Sequence, residues 1–521
     1  MSGANADAEA TGGSRVASNL AANQVGFILP VVITFFLSPY VVHTLGDLWY
    51  GLWSLIVSFT GHYGMLTLGV QSATTRYIAF AAGQGDSDRL SRYVSSAFWI
   101  LLPAAGLCVL VGVAVTGLLD RLFNIPPEHL RIAQFACLLV ALTSAVNFAS
   151  ATFSCILTAH QRFDTLNLVR TSAFAIRSAL TFLLLMGGFQ VVALAVLGLG
   201  VMVVSGFVFY VFARVQAPGW SLRTRNVDRE SMRTLFGYGL KSFVGIAAQT
   251  LTYQFALVII GVFMRPEDIT IYALGSGLLY YVVQFVNSIV HVFDPYATQR
   301  FARSGVEGMK DLFVRGSAFM YVMGGTLVAG AVVFARPFFS LWIDAEHVHS
   351  GTILIILIIP QFFNIGARFG HCILVGMARI GTFNTAALIA GLANLLLSVI
   401  LIQRWGIVGV AVGTLIPMVI VDAVWFVLYM SRLLDVSPLR IWTRSIGPGV
   451  VVAAAGLLAG TGMTRLLPPV GWLPLAADAL VALTSCLVVA WFVLPARVGG
   501  IAWRAEGLER VRRRLRGPRD S

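Results

Sequence analysis

The sequence predicts an all-α polytopic membrane protein. It predicts fourteen transmembrane helices in two six-helix lobes related by a parallel pseudo-repeat, plus two extra C-terminal helices. Three observations carry this. The 521 residues are 58% hydrophobic and only 11% charged, against about 25% charged in soluble domains. Apolar runs of about 20 residues, the length that crosses a bilayer as a helix, recur from end to end. The short connections between them alternate in Lys and Arg content, which is how orientation is written into such chains.

Taken in order, the expected spans are 17–42, 49–70, 93–118, 132–158, 165–186, 190–213, 235–263, 270–293, 314–340, 351–376, 382–402, 407–430, 446–464 and 472–494. The even-numbered loops and their edges hold 18 Lys/Arg, the odd-numbered loops six, the C-terminal tail eight and the N-terminal arm one. Both termini and the even loops are therefore expected on the cytoplasmic side. The organisation reads as a disordered arm (1–16), an N-lobe (17–214), a basic linker (215–234), a C-lobe (235–433), spans 13 and 14 (434–494) and a basic tail (495–521). The arm has no basic-then-apolar signal pattern, so the first span is expected to be retained.

The net charge of +13 does not point to nucleic acid, because the cations sit at span ends and no basic–aromatic platform accompanies them. The basic tail is expected to lie against anionic membrane lipids. Cys108, Cys137, Cys155, Cys372 and Cys486 fall in or near spans with no metal-ligand spacing. They read as small buried hydrophobes.

A repeat appears at an offset near 220. Tyr50-Gly51-Leu52 recurs as Tyr272-Ala273-Leu274, Ala73-Thr74-Thr75-Arg76 as Ala297-Thr298-Gln299-Arg300, Ser96-Ala97-Phe98 as Ser317-Ala318-Phe319, and Thr165-Leu166-Asn167 as Thr382-Phe383-Asn384. The four matches keep their order. Lobes repeated in parallel place a substrate site where they rock against one another.

Polar stripes mark particular spans. In span 5, Asn167, Arg170, Phe174, Arg177 and Thr181 share a helical face, with Arg177 about 10 Å deeper than Arg170 at 1.5 Å per residue. Span 7 presents Tyr238, Lys241, Ser242, Gly245, Gln249, Thr252 and Tyr253. Span 8 presents Gly277, Tyr280, Gln284, Asn287, His291 and Asp294; span 10 presents Asn364, Arg368 and His371. Span 1 carries Asn19 and Asn23, and span 2 carries His62 beside Ser54 and Ser58. Any one stripe is more often polar packing between helices than a site. Arg177, Lys241 and Arg368 stand out as the three cations of 36 deep inside spans, away from their ends. A guanidinium at the bilayer centre costs roughly 3 kcal/mol or more, so it normally faces protein or water. Against them stand the mid-span carboxylates Asp422 and Asp478, neither in spans 1, 2, 7 or 8. A cationic cavity suits an anion such as a phosphate or pyrophosphate. The candidate substrate-binding residues are Arg177, Lys241, Arg368, Arg170, Gln284, Asn287, His291, Asn364, His371 and Asn23. No phosphate-binding loop, metal-binding histidine pair or soluble domain is present, so neither an enzyme nor a cofactor is expected.

Several segments resemble one family: Leu45-Gly46-Asp47, Tyr50-Gly51-Leu52, Leu68-Gly69-Val70, Thr75-Arg76-Tyr77 and Gly83-Gln84-Gly85-Asp86 in the first half. Tyr272-Ala273-Leu274, Asp294-Pro295, Leu341-Trp342-Ile343, Asn394-Leu395-Leu396-Leu397-Ser398 and Gly406-Ile407-Val408-Gly409 continue it in the second. The chain resembles the polysaccharide transporters of the multidrug/oligosaccharidyl-lipid/polysaccharide exporter superfamily. That resemblance implies a flippase of the bacterial inner membrane working by alternating access. Its cargo would be an undecaprenyl-pyrophosphate-linked oligosaccharide, the repeat unit of O-antigen (lipopolysaccharide), capsule or exopolysaccharide. It also implies polysaccharide polymerase and assembly proteins as partners. Where many relatives carry an Asp in span 7, this chain has Leu251-Thr252-Tyr253-Gln254-Phe255-Ala256-Leu257. The rival readings are a multidrug exporter or lipid II flippase of the same fold, and an envelope glycan transferase.

Overall fold

The computed structural model describes residues 28–494, apart from 291, 292, 295 and 378. The expected arm (1–16) and tail (495–521) lie outside the described residues. Among the described residues, twelve helical segments are long and apolar enough to cross a membrane. In the first half they are α1 (Ile28–Thr67), α3 (Ser87–Leu122), α4 (Pro127–Ala159), α5 (Phe163–Met186), α6 (Val191–Gln216) and α7 (Arg229–Phe263), with the shorter α2 (Val70–Gly83) after α1. Then come α8 (Pro266–Val290), α9 (Tyr296–Trp342), α10 (Ala345–Gly376), α11 (Gly381–Leu434), α12 (Pro438–Leu466) and α13 (Trp472–Val493).

The protein is a polytopic all-α membrane protein, and twelve against the expected fourteen has a simple origin. Segment α1 covers expected spans 1 and 2, and α11 covers spans 11 and 12. Each contains one residue that leaves helical geometry while helix continues on both sides: Gly46 at φ 75° and Gly406 at φ 57°. Positive φ is open to glycine at little cost, so the chain bends there without a loop.

Positive φ at glycine also recurs at the offset of the repeat. Gly85 (φ 70°) is echoed by Gly305 (φ 56°), and Gly188 (φ 78°) by Gly406. Both offsets fall within the range that the sequence matches span.

The chain forms two compact units, Met1–Thr270 and Ile271–Ser521. The division falls later than the basic segment 215–234, because that segment is built into the first unit. Trp220 is buried, its indole N–H donating to the Ala213 carbonyl at 3.1 Å, and Arg214 stacks 3.9 Å over its ring. The Ser221 N–H then donates to Ser91 Oγ at 3.0 Å on α3. Helix α7 also belongs to this unit. Its Gly239 lies so close to Gly69 that a Cβ at Gly69 would sit 2.3 Å from the Gly239 carbonyl oxygen. The core of the first unit gathers Ile78, Tyr93, Ile156, Leu157, Trp220 and Leu235. In the second unit α9 packs along α10 and α12, and α12 along α13. Its core centres on Phe313, Met320, Tyr321, Phe369 and Phe426. All five cysteines are buried free thiols.

Candidate functional site

The second unit joins five polar side chains from three helices. Helix α8 supplies Gln284 and Asn287, three residues apart; α10 supplies Asn364 and Arg368, four apart; each pair shares a helix face. Asn287 Nδ2 donates to Gln284 Oε1 at 3.0 Å. Arg368 donates from Nε to Asn364 Oδ1 at 3.0 Å and from Nη1 to Asn287 Oδ1. Asn364 Nδ2 in turn donates to Asp422 Oδ2 on α11 at 2.9 Å. The Asn364 amide thus links guanidinium to carboxylate, its oxygen facing the cation and its nitrogen the anion. Asp422 is 4% exposed. It lies in a π-helical stretch of α11, Ile420–Trp425, a local widening that recurs at functional positions. A buried charge is tolerable only when paired and hydrogen-bonded, and this chain of contacts meets that need.

Gln284, Asn287, Asn364 and Arg368 are four of the side chains expected from the sequence, and the structure brings them together. Asp422, a mid-span carboxylate outside that expected set, joins them. The signal was there, because a buried acid inside a span needs a partner as much as a buried base does. His371, one turn beyond Arg368, is half-buried with its ring edge-on to Phe383 at 5.1 Å.

The cations of the first unit are placed differently. Arg177, Arg170 and Lys241 are exposed. The Arg177 guanidinium lies over Gly198 of α6, where a Cβ would make ordinary contact, 3.8 Å from Nη2. Among the described residues, none forms a hydrogen bond or ion pair with these three side chains. The stripe from Asn167 to Thr181 is half-buried or exposed along its length, and so is the polar face of α7 from Tyr238 to Tyr253. Asn23 and His291 lie outside the described residues. His62 is half-buried against α7, its ring 4.4 Å from that of Phe255. Among the described residues no cluster of three His, Cys, Asp or Glu side chains is arranged to hold a metal ion.

Residues 15–301 match the family described as polysaccharide biosynthesis protein. The match covers more than half of the chain. The chain belongs to this family. A curated relative, the uncharacterized membrane protein EpsK of Bacillus subtilis (strain 168), is 23% identical over 450 residues, 80% of this chain and 83% of EpsK. Among solved structures, the lipid II flippase MurJ in an inward closed conformation superposes with a TM-score of 0.70, at 14% identity over 91% of this chain and 97% of that one. An inward-facing multidrug resistance transporter of the MATE family and MOP superfamily gives 0.65, at 15% identity over 80% and 96%. This member of the polysaccharide biosynthesis family therefore has the fold of membrane transporters.

The segments that carry the family resemblance build this fold rather than a ligand site. Arg76 of Thr75-Arg76-Tyr77 stacks 4.8 Å from the Tyr238 ring centre. Asp86 of Gly83-Gln84-Gly85-Asp86 caps α3, its Oδ1 accepting from the Arg89 N–H at 2.8 Å, an ordinary helix start. Asn394 is buried and accepts from Ser398 Oγ at 3.0 Å and Thr414 Oγ1 at 3.1 Å. In this family member such residues specify helix breaks and helix contacts, so they say little about cargo.

Proposed function

We propose that this protein is a flippase that moves an undecaprenyl-pyrophosphate-linked oligosaccharide across the bacterial inner membrane by alternating access, with both termini cytoplasmic. The observation that carries the proposal is Arg177. It is an ionised guanidinium well inside an apolar helix, exposed and without a partner among the described residues. Its position is costly unless water or an anion from outside the chain attends it. A pyrophosphate offers paired oxygens that fit the fork of a guanidinium. Lys241, equally open, adds a second positive charge in the same unit, and Arg170 marks an entry nearer the helix start. Membership of the polysaccharide biosynthesis family supports a glycan cargo. The MurJ fold supports a lipid carrier. In this scheme Arg368 organises the second unit from within, and Gln284, Asn287, Asn364 and His371 line its polar face.

The test is complementation of a strain that lacks its oligosaccharide-lipid flippase. Arg177→Ala and Lys241→Ala are each expected to lower surface polysaccharide about 10-fold or more, the worth of one charge-assisted contact of about 1.5–3 kcal/mol. Protein in the membrane should stay at the parent level. Normal surface polysaccharide from both single variants and from the double variant would sink the proposal.

A further inference from the structure

The second unit holds another cavity, built from none of the network residues. Its volume is about 780 Å³. It opens where α9 begins its apolar run, where α12 starts and where α13 ends. Arg315, Arg440 and Arg444 line it, with Trp442 between the last two. The one carboxylate on its wall, Asp311, lies 2.6 Å from Arg315 Nε. Arg440 and Arg444 are exposed, and among the described residues no acidic side chain pairs with either. Apart from Thr443, the rest of the wall is apolar, with Val451 and Val493 exposed or half-buried on it. Leu439, beside Arg440, is 72% exposed.

This combination has a specific chemistry. Two unpaired guanidiniums on one cavity wall repel each other until an anion sits between them. A free anion has no use for apolar walls, whereas an amphiphile has use for both. Trp442, 42% exposed, is of the type that settles at head-group level where bilayer meets water. The residues also lie on the Arg-rich side of the chain: the loop after the twelfth expected span supplies Arg440 and Arg444, and the basic tail starts just beyond Val493. Basic pockets between spans on that side suit anionic head groups.

We propose that this cavity binds the head group of an anionic phospholipid from the leaflet facing the Arg-rich loops. Arg440 and Arg444 hold the phosphate, Trp442 sits at the interface, and the acyl chains run along Val451 and Val493. The site ties α12 and α13 to the bilayer and does not depend on the flippase proposal.

Native mass spectrometry of the full chain in detergent tests it, with phosphatidylglycerol, cardiolipin and phosphatidylcholine added in turn. The parent is expected to retain the two anionic lipids and little phosphatidylcholine. Arg440→Gln with Arg444→Gln should lower anionic-lipid retention about 30-fold, from about 1 kcal/mol per lost charge. Arg440→Lys with Arg444→Lys should keep most of it, with both variants melting near the parent temperature. If the Gln pair misfolds, Arg444→Gln alone serves, with a loss of several-fold expected. Equal retention of phosphatidylcholine by the parent, or undiminished anionic retention by the Gln variants, overturns the proposal. Inorganic phosphate is the remaining arm: if it alone raises the melting temperature as much as phosphatidylglycerol, and the Gln pair abolishes this, the ligand is free phosphate and the lipid assignment fails.

Discussion

Arg368 in the second unit and Arg177 in the first pose the same electrostatic problem, and the molecule treats them in opposite ways. Arg368 is partly buried and donates to two asparagine oxygens, one of which is tied to a buried carboxylate. Arg177 is open, stands over a glycine and has no partner among the described residues. The two cases separate two kinds of cation inside a membrane span. Where the fold supplies the counter-charge, the residue holds helices together. Where the fold withholds it, the residue is available to something that comes and goes.

The largest expected effect breaks or upholds that contrast directly. Arg368→Ala strips a bond from each of Asn287 and Asn364 and leaves Asp422 buried without its cation, so it is expected to cost about 3 kcal/mol of stability. Arg177→Ala removes no hydrogen bond or ion pair among the described residues and should leave stability nearly unchanged. Denaturant or thermal unfolding of the purified chain in detergent reads both. Parent-like unfolding of Arg368→Ala, or a large loss in Arg177→Ala, would erase the distinction. The cycle with Asp422→Ala sharpens it: the double variant should cost less than the two single variants summed, by about 1–2 kcal/mol, because the residues act as one network.

The next effect is smaller and concerns the repeat. Asn394 lies 217 residues after Arg177, within the spread of the sequence matches, yet it is buried and accepts from Ser398 and Thr414. Asn394→Ala should therefore behave as a packing variant, costing about 1–2 kcal/mol for the two hydroxyls it leaves behind. Surface polysaccharide in a complemented strain should hold at the level set by protein abundance. A specific transport defect at normal abundance would mean that both positions meet cargo.

Much of this was legible in the sequence, for reasons that particular residues make plain. Apolar runs and loop charges exposed the membrane fold because both follow from the bilayer itself. Helical spacing exposed the pairs Gln284/Asn287 and Asn364/Arg368, since each pair lies on one helix. What it could not expose was the closing contact to Asp422, which depends on how α10 and α11 meet. The basic segment 215–234 read as a linker because charge density was its only visible property; the docking of Trp220 and Ser221 is a tertiary event. The span count depends on Gly46 and Gly406, where helix resumes directly after one residue that a sequence reader takes for a loop.

The smallest expected effect tests the repeat at its backbone. Gly85 and Gly305 both adopt positive φ, and at each a Cβ would meet nothing within 4 Å. Substitution by alanine thus adds no clash at either position, only the strain of an L residue at positive φ. At Gly85, where the helix ends with the Asp86 N–H donating to the Ala81 carbonyl, that strain is about 1 kcal/mol. Gly305 has a ψ of −153°, a region essentially reserved for glycine, and its cost is about 1 kcal/mol higher. Gly305→Ala should therefore destabilise more than Gly85→Ala, measured by unfolding of the purified chain. Equal penalties would show that the two turns share one backbone role although the residues that flank them differ.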